Sequence, residues 1–492
     1  MPFPPRRAVA ALIAVALLVS VAPTVASPAS ATSSAPHSTL RWNACGGGVQ
    51  CSHLKVPLDD TTTGGPTITL ALGRVPARNP QQRIGSLVMN PGGPGAPGIP
   101  FLRDFSSTLP GSIRDRFDLV TFDPRGTGGS AAVECTPNLD PLYNLEFAPR
   151  DDAARQELLA GVRAFVAQCQ AKAGAELPYL STERAARDMD RVRAALGEAR
   201  LTYLGFSYGT YLGSLYADRF PTHIRAMVLD GAVDPALSAS AQQVQQAVGF
   251  EHDLDQFLQS CATDTTCSFR QNGTTPAAYD ALRARVGATP IPADGAGKGR
   301  TLNGTEFDIG VTQLLYSGRQ AWPDLGHALA AAAAGDGTEL LKQSDAYTGR
   351  QPNGTYDASQ DAFLAIGCLD GPDVGGVAGL RAIEEQAAQV APRVGRSVIN
   401  NSLACALWPI PTQTPPVPHA VGAPPIVVVG NTDDPATPLA WATGLSHELQ
   451  SAVLVTVNSA QHTAYASGNT CVDTVINRYL IALHPPTPGT HC

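Results

Sequence analysis

The stretch Leu201-Thr202-Tyr203-Leu204-Gly205-Phe206-Ser207-Tyr208-Gly209-Thr210 decides how this chain folds. Its first half is short, apolar and suited to a strand. From Thr210 to Arg219 the pattern turns helical. Between them, Gly205 to Gly209 reads Gly-x-Ser-x-Gly, the pattern of a strand turning sharply into a helix. Such a turn strains the serine and leaves its hydroxyl exposed. Side chains at the two flanking positions would collide with the neighbouring strand and helix, so both are glycine. The helix N-terminus beneath favours negative charge as it develops. Ser207 is the candidate nucleophile.

Outward from this turn, strands are expected at 67–75, 86–90, 119–122 and 226–230, and a helix at 184–196. Short, wholly apolar strands alternating with helices argue for an α/β fold, its parallel sheet covered on both faces. Ligands then gather at the carboxyl ends of the strands. The alternation stops near Pro235. Residues 236–415 are Gln- and Ala-rich and mostly helical. Sheet character returns at 425–429 and 453–457, with a helix at 438–449 between. The expected organisation is a core in two parts, 42–235 and 416–492, with 236–415 inserted as a cap.

A serine hydroxyl needs a base, and in this architecture the order is Ser, then Asp or Glu, then His. Of ten histidines, His462 follows a strand in a short loop and is the candidate base. The acid should follow the strand at 425–429, where Asp433 and Asp434 compete. Either could face the imidazole while the other caps the next helix. An oxyanion would need two backbone N–H groups. Tyr208, directly after the serine, is one. The loop Asn90-Pro91-Gly92-Gly93-Pro94-Gly95 offers the other, with Gly93 favoured and Gly92 the fallback. Asp123 and Arg125, in Asp-Pro-Arg-Gly-Thr-Gly, read as braces between neighbouring loops.

Composition sets the outer limits. The 492 residues are 43% hydrophobic and 15% charged, with net charge −8. Those values exclude a disordered polyampholyte, a polytopic membrane protein and a basic nucleic-acid surface. Arg6 and Arg7 precede an apolar run at 8–21, and Ala29-Ser30-Ala31 fits a cleavage site, with Val25-Ala26-Ser27 as another. Residues 1–31 therefore read as a signal peptide and 32–41 as a linker or short propeptide. No stable membrane insertion is expected. Export makes ten cysteines a disulfide framework. They could pair in sequence order, beginning with the close pairs Cys45/Cys51 and Cys261/Cys267. No Cys-x-x-Cys occurs, which weighs against a zinc site.

Four motifs together carry a resemblance. They are Asn-Pro-Gly-Gly-Pro-Gly, Asp-Pro-Arg-Gly-x-Gly-x-Ser, Gly-Phe-Ser-Tyr-Gly-Thr-Tyr-Leu-Gly and Asp-Pro-Ala-Thr-Pro. In this order they resemble the secreted tripeptidyl aminopeptidases, α/β-hydrolases akin to the prolyl iminopeptidases. The likeness runs from about Trp42 to Cys492. It implies an α/β-hydrolase fold with a helical cap and a serine peptidase releasing tripeptides or other short peptides from free N-termini. It places the acid on Asp434, with Thr437 supporting that carboxylate, and the base on His462. The residue before His462 is Gln461 where the family usually has glycine, and Pro91 stands where prolyl iminopeptidases have histidine. Proline preference therefore does not carry over. An exopeptidase must bind the substrate ammonium, and Asp370 in the cap is the favoured carboxylate, with Glu251, Asp253 and Asp255 as rivals whose spacing also suits a solvated helix face. No metal or organic cofactor, and no nucleic acid, is implied; a secreted monomer is expected. A secreted carboxylesterase or lipase with an apolar lid would use the same triad.

Overall fold

The strands that frame Ser207 are buried along their whole length, so their sequence is mostly apolar and lacks a regular polar alternation. The computed structural model describes residues 39–271, 273–371 and 373–492. The expected signal peptide and nearly all of the linker lie outside the described residues. The main sheet comprises β1 (Asn43–Ala44), β2 (Gln50–Pro57), β3 (Thr67–Val75), β4 (Gly85–Asn90), β5 (Phe117–Phe122), β6 (Leu201–Phe206), β7 (Ile224–Asp230), β8 (Ile426–Asn431), β9 (Ala452–Val457) and β10 (Thr490–His491). Their spatial order is β1-β2-β3-β5-β4-β6-β7-β8-β9-β10. The edge formed by β1, β2 and β3 is antiparallel, and β3 meets β5 antiparallel. From β5 to β10 every neighbour is parallel.

Alternate residues of these strands feed two cores. Val88, Tyr203, Met227 and Val428 pack against helices Thr182–Ala195, Tyr208–Arg219 and Leu439–Glu448. Leu87, Met89, Leu204, Val228 and Val429 pack against helices Gly98–Phe105 and Thr470–Ala482. The period of two follows from the pleat.

Between β7 and β8 the chain is helical, apart from a two-stranded hairpin at Ile291–Pro292 and Thr301–Leu302. These helices share a third core. Residues 133–180, which the sequence reading groups with the first part of the sheet domain, contribute to that same core through helix Asp152–Ala173. The disulfides are Cys45–Cys51, Cys135–Cys169, Cys261–Cys267, Cys368–Cys405 and Cys471–Cys492. No described helix is long and apolar enough to cross a membrane.

Candidate active site

The turn after β6 has the strain its sequence implies. Ser207 sits at φ 52°, ψ −125°, at the N-terminus of helix Tyr208–Arg219. A Cβ on Gly205 would lie 2.3 Å from the Gly209 carbonyl oxygen, and one on Gly209 would lie 2.8 Å from Asn90 Oδ1. The serine is anchored by its amide on the Asp230 carbonyl at 2.9 Å, while Thr210 Oγ1 donates to the Ser207 carbonyl at 2.6 Å.

Asp434 and His462 arrive from the ends of β8 and β9. His462 Nδ1 lies 2.9 and 3.0 Å from the two Asp434 oxygens. That carboxylate also accepts from the amides of Ala436 and Thr437, each at 2.9 Å, and from Thr437 Oγ1 at 3.1 Å. The neighbouring Asp433 is partly exposed, 3.6 Å from His252. Asp434 is thus the aspartate that meets the imidazole. The His462 amide donates to the Tyr316 carbonyl at 3.0 Å, and the Tyr316 ring stands edge-on to the imidazole at 5.4 Å. His462 Nε2 is buried with no hydrogen-bond partner among the described residues. Gly231 follows the residue that anchors Ser207; a Cβ there would lie 3.1 Å from His462 Cε1. Burial alone would lower the pKa of His462, but the Asp434 carboxylate, helped by Asp230, outweighs it and the net direction is up.

Sequence reading missed Asp230. It closes β7, is fully buried, and accepts from the amides of Ala464 at 3.0 Å and Tyr465 at 2.8 Å. It thereby fixes the loop that carries His462. Burial pushes its carboxyl up to about 6. The legible signal was a carboxylate directly after the apolar run 226–229.

Of the two glycines after β4, Gly92 donates its amide to Asn90 Oδ1 at 3.0 Å. Gly93 lines a cavity of about 250 Å³ together with Ser207 and Tyr208. Asp370 lines it too. It ends helix Ser359–Asp370 and is only 6% exposed. Its oxygens accept the Thr182 amide at 2.9 Å and the Thr182 hydroxyl, which also meets the Tyr208 hydroxyl. Burial pushes the Asp370 carboxyl up to about 7. Asp234 and Asp373 face the same cavity, and none of its described lining residues is lysine or arginine.

The rival acids sit elsewhere. Their helix face is not solvated as the spacing suggests: Glu251 and Asp253 are buried. Glu251 accepts the Arg393 and Val394 amides and pairs with the Arg393 guanidinium, which also holds Asp255 at 2.6 Å. Asp253 has no hydrogen-bond partner among the described residues, and burial pushes it up to about 7. None of the three lines the cavity. Asp123 and Arg125 do brace loops: Asp123 accepts the Ile99 and Gly129 amides, and Arg125 holds Asp188 and the Leu58 and Tyr179 carbonyls. No described cluster of His, Cys, Asp or Glu has the makings of a metal site.

This fold, with a strained serine at its strand–helix turn, defines the class: the chain is a serine hydrolase of the α/β-hydrolase fold. A family model described as alpha/beta hydrolase fold matches residues 85–287, and one described as TAP-like protein matches 391–492. The chain is 36% identical over 469 residues to Serine protease Hip1 of Mycobacterium tuberculosis, covering 91% of this chain and 88% of that protein. It is 35% identical over 462 residues to Carboxylesterase B of the same species, covering 89% and 85%. It is 30% identical over 454 residues to Tripeptidyl aminopeptidase of Streptomyces lividans, covering 88% and 81%. The chain belongs to the TAP-like family of α/β-hydrolases.

Proposed function

We propose that the protein is a secreted serine exopeptidase that removes short peptides, tripeptides foremost, from free N-termini. Ser207 attacks the scissile carbonyl while His462 Nε2 takes its proton. Asp434 holds the imidazole by Nδ1 and stabilises its charged form, and Thr437 holds Asp434. The Gly93 and Tyr208 amides receive the oxyanion. His462 then protonates the leaving amine, and water clears the acyl-enzyme. Asp370 receives the substrate ammonium.

The observation that carries this reading is the charge of the cavity: Asp234, Asp370 and Asp373 face it, and its described lining has no cation to neutralise them. Such a cavity favours a cation, and a peptide N-terminus is one. Asp370 spends its oxygens on Thr182, yet a carboxylate has about four acceptor positions, so room is left for an ammonium. The relatives named serine protease and tripeptidyl aminopeptidase support peptide bonds as substrate. The sequence of residues 1–31 and the five disulfides support secretion.

A second reading, a carboxylesterase, is favoured by the relative of that name. One hydrolysis panel separates the two: a tripeptide p-nitroanilide, its N-acetylated twin and a short-chain p-nitrophenyl ester. The exopeptidase cleaves the free tripeptide and loses it on acetylation. Ester turnover with no amide turnover would retire the peptidase reading.

A further inference from the structure

One wall of the cavity is an amide wall. Gln242, Gln243 and Gln246 line it from the first two turns of helix Ala239–Thr263. That helix is pinned to the acid loop: Gln246 Nε2 donates to the Ala436 carbonyl at 2.9 Å, and Gln245 Oε1 accepts from Trp441 Nε1 at 2.7 Å. The wall is therefore held in fixed register with Asp434 and His462. Gln243 is different from its neighbours. Its Oε1 is buried and has no hydrogen-bond partner among the described residues. A buried amide oxygen left unpaired costs free energy, so such groups are normally satisfied by protein, water or ligand.

We propose that Gln243 is a specificity-determining residue that pairs its side-chain amide with a backbone amide inside the substrate, between the ammonium and the scissile bond. This rests on the exopeptidase reading above. The chemistry is complementary: a primary amide offers one acceptor and one donor group, and a peptide unit offers the N–H and C=O that match them. An ester unit has the carbonyl but no N–H. A cavity lined by carboxylates and by this amide then recognises a peptide by its terminus and its backbone, with little demand on side chains. Sites built to hydrogen-bond a substrate N–H discriminate strongly against analogues lacking it, because the buried acceptor is left unpaired.

The test uses the full-length mature enzyme and a tripeptide p-nitroanilide in which each internal amide N–H is replaced in turn by an ester oxygen. In the wild type, one of the two depsipeptides should lose kcat/KM by on the order of 10- to 100-fold against the parent. In Gln243→Met that difference should collapse to about threefold or less. The parent tripeptide should also fall at least tenfold further than p-nitrophenyl acetate, which reports on fold and triad. Gln243→Glu, which keeps an acceptor oxygen, should retain the discrimination. The proposal is overturned if the wild type tolerates both depsipeptides, if Gln243→Met still discriminates, or if tripeptide and acetate fall in parallel. Absence of any tripeptide turnover in the wild type would instead sink the exopeptidase reading itself.

Discussion

His462 carries the pH behaviour of the account. Its pKa is displaced upward, burial opposing and Asp434 prevailing. A general base must be neutral, so activity is lost as pH falls through that raised value. Asp370, pushed up to about 7, must be ionised to hold an ammonium and fails in the same direction. On the alkaline side the substrate's own α-amino group loses its proton near about 7.7–8.0. The profile of kcat/KM for a free tripeptide should therefore be bell-shaped, while a short-chain ester keeps only the acid limb. Coincident profiles for the two substrates would contradict the ammonium site. Gly205 makes a second test at this scale. Its missing Cβ would sit 2.3 Å from backbone, so Gly205→Ala should yield little soluble, active protein, measured by expression and ester turnover.

Among the elements, the least exchangeable contact is a buried ion pair. Arg125 reaches Asp188 at 2.8 and 3.0 Å, both side chains fully buried, and joins the end of β2 to helix Thr182–Ala195. Arg125→Met leaves the buried Asp188 carboxylate with Arg191, at 3.0 Å, as its remaining cation, and should cost about 3 kcal/mol in denaturant unfolding. Adding Asp188→Leu should recover part of that; no recovery would mean the arginine's backbone contacts dominate. Elements differed in how legible they were. β4, β5, β6 and β8 are buried on both faces, so each is mostly apolar, with polar residues such as Asp118, Thr121 and Thr202 interspersed, and the turn after β6 needs its two glycines whatever else surrounds it. Helix Asp152–Ala173 buries Leu158, Val162, Phe165 and Cys169, a spacing visible in the sequence, but its partners lie in the distant insertion. β10 is two residues long and its pairing with β9 is non-local, so nothing in its own sequence marks it. The same holds for the site. Ser207 and His462 announce themselves by local pattern, Asp434 over Asp433 needed the resemblance, and Asp230 and Gln243 become visible only once burial and partners are known.

At the scale of the whole molecule, sheet and cap each supply part of the cavity, and the Cys368–Cys405 disulfide fixes the cap's share. Both cysteines line the cavity, and Asp370 lies two residues beyond the first. With its ends 37 positions apart in sequence, this bridge should stabilise the fold by about 3–4 kcal/mol through the unfolded chain. Cys368→Ser with Cys405→Ser should lower the melting temperature and raise KM for a free tripeptide more than it lowers kcat. Equal effects on an ester substrate would show that the bridge does not position Asp370. The account as a whole rests on cleavage from a free N-terminus by Ser207. Its most direct test is mass spectrometry of the products from a ten-residue peptide, unblocked and N-acetylated, with wild type and Ser207→Ala. The account predicts tripeptides released in order from the unblocked end, none from the acetylated peptide, and none with Ser207→Ala. Internal cuts, equal cleavage of the acetylated peptide, or products from Ser207→Ala would contradict it.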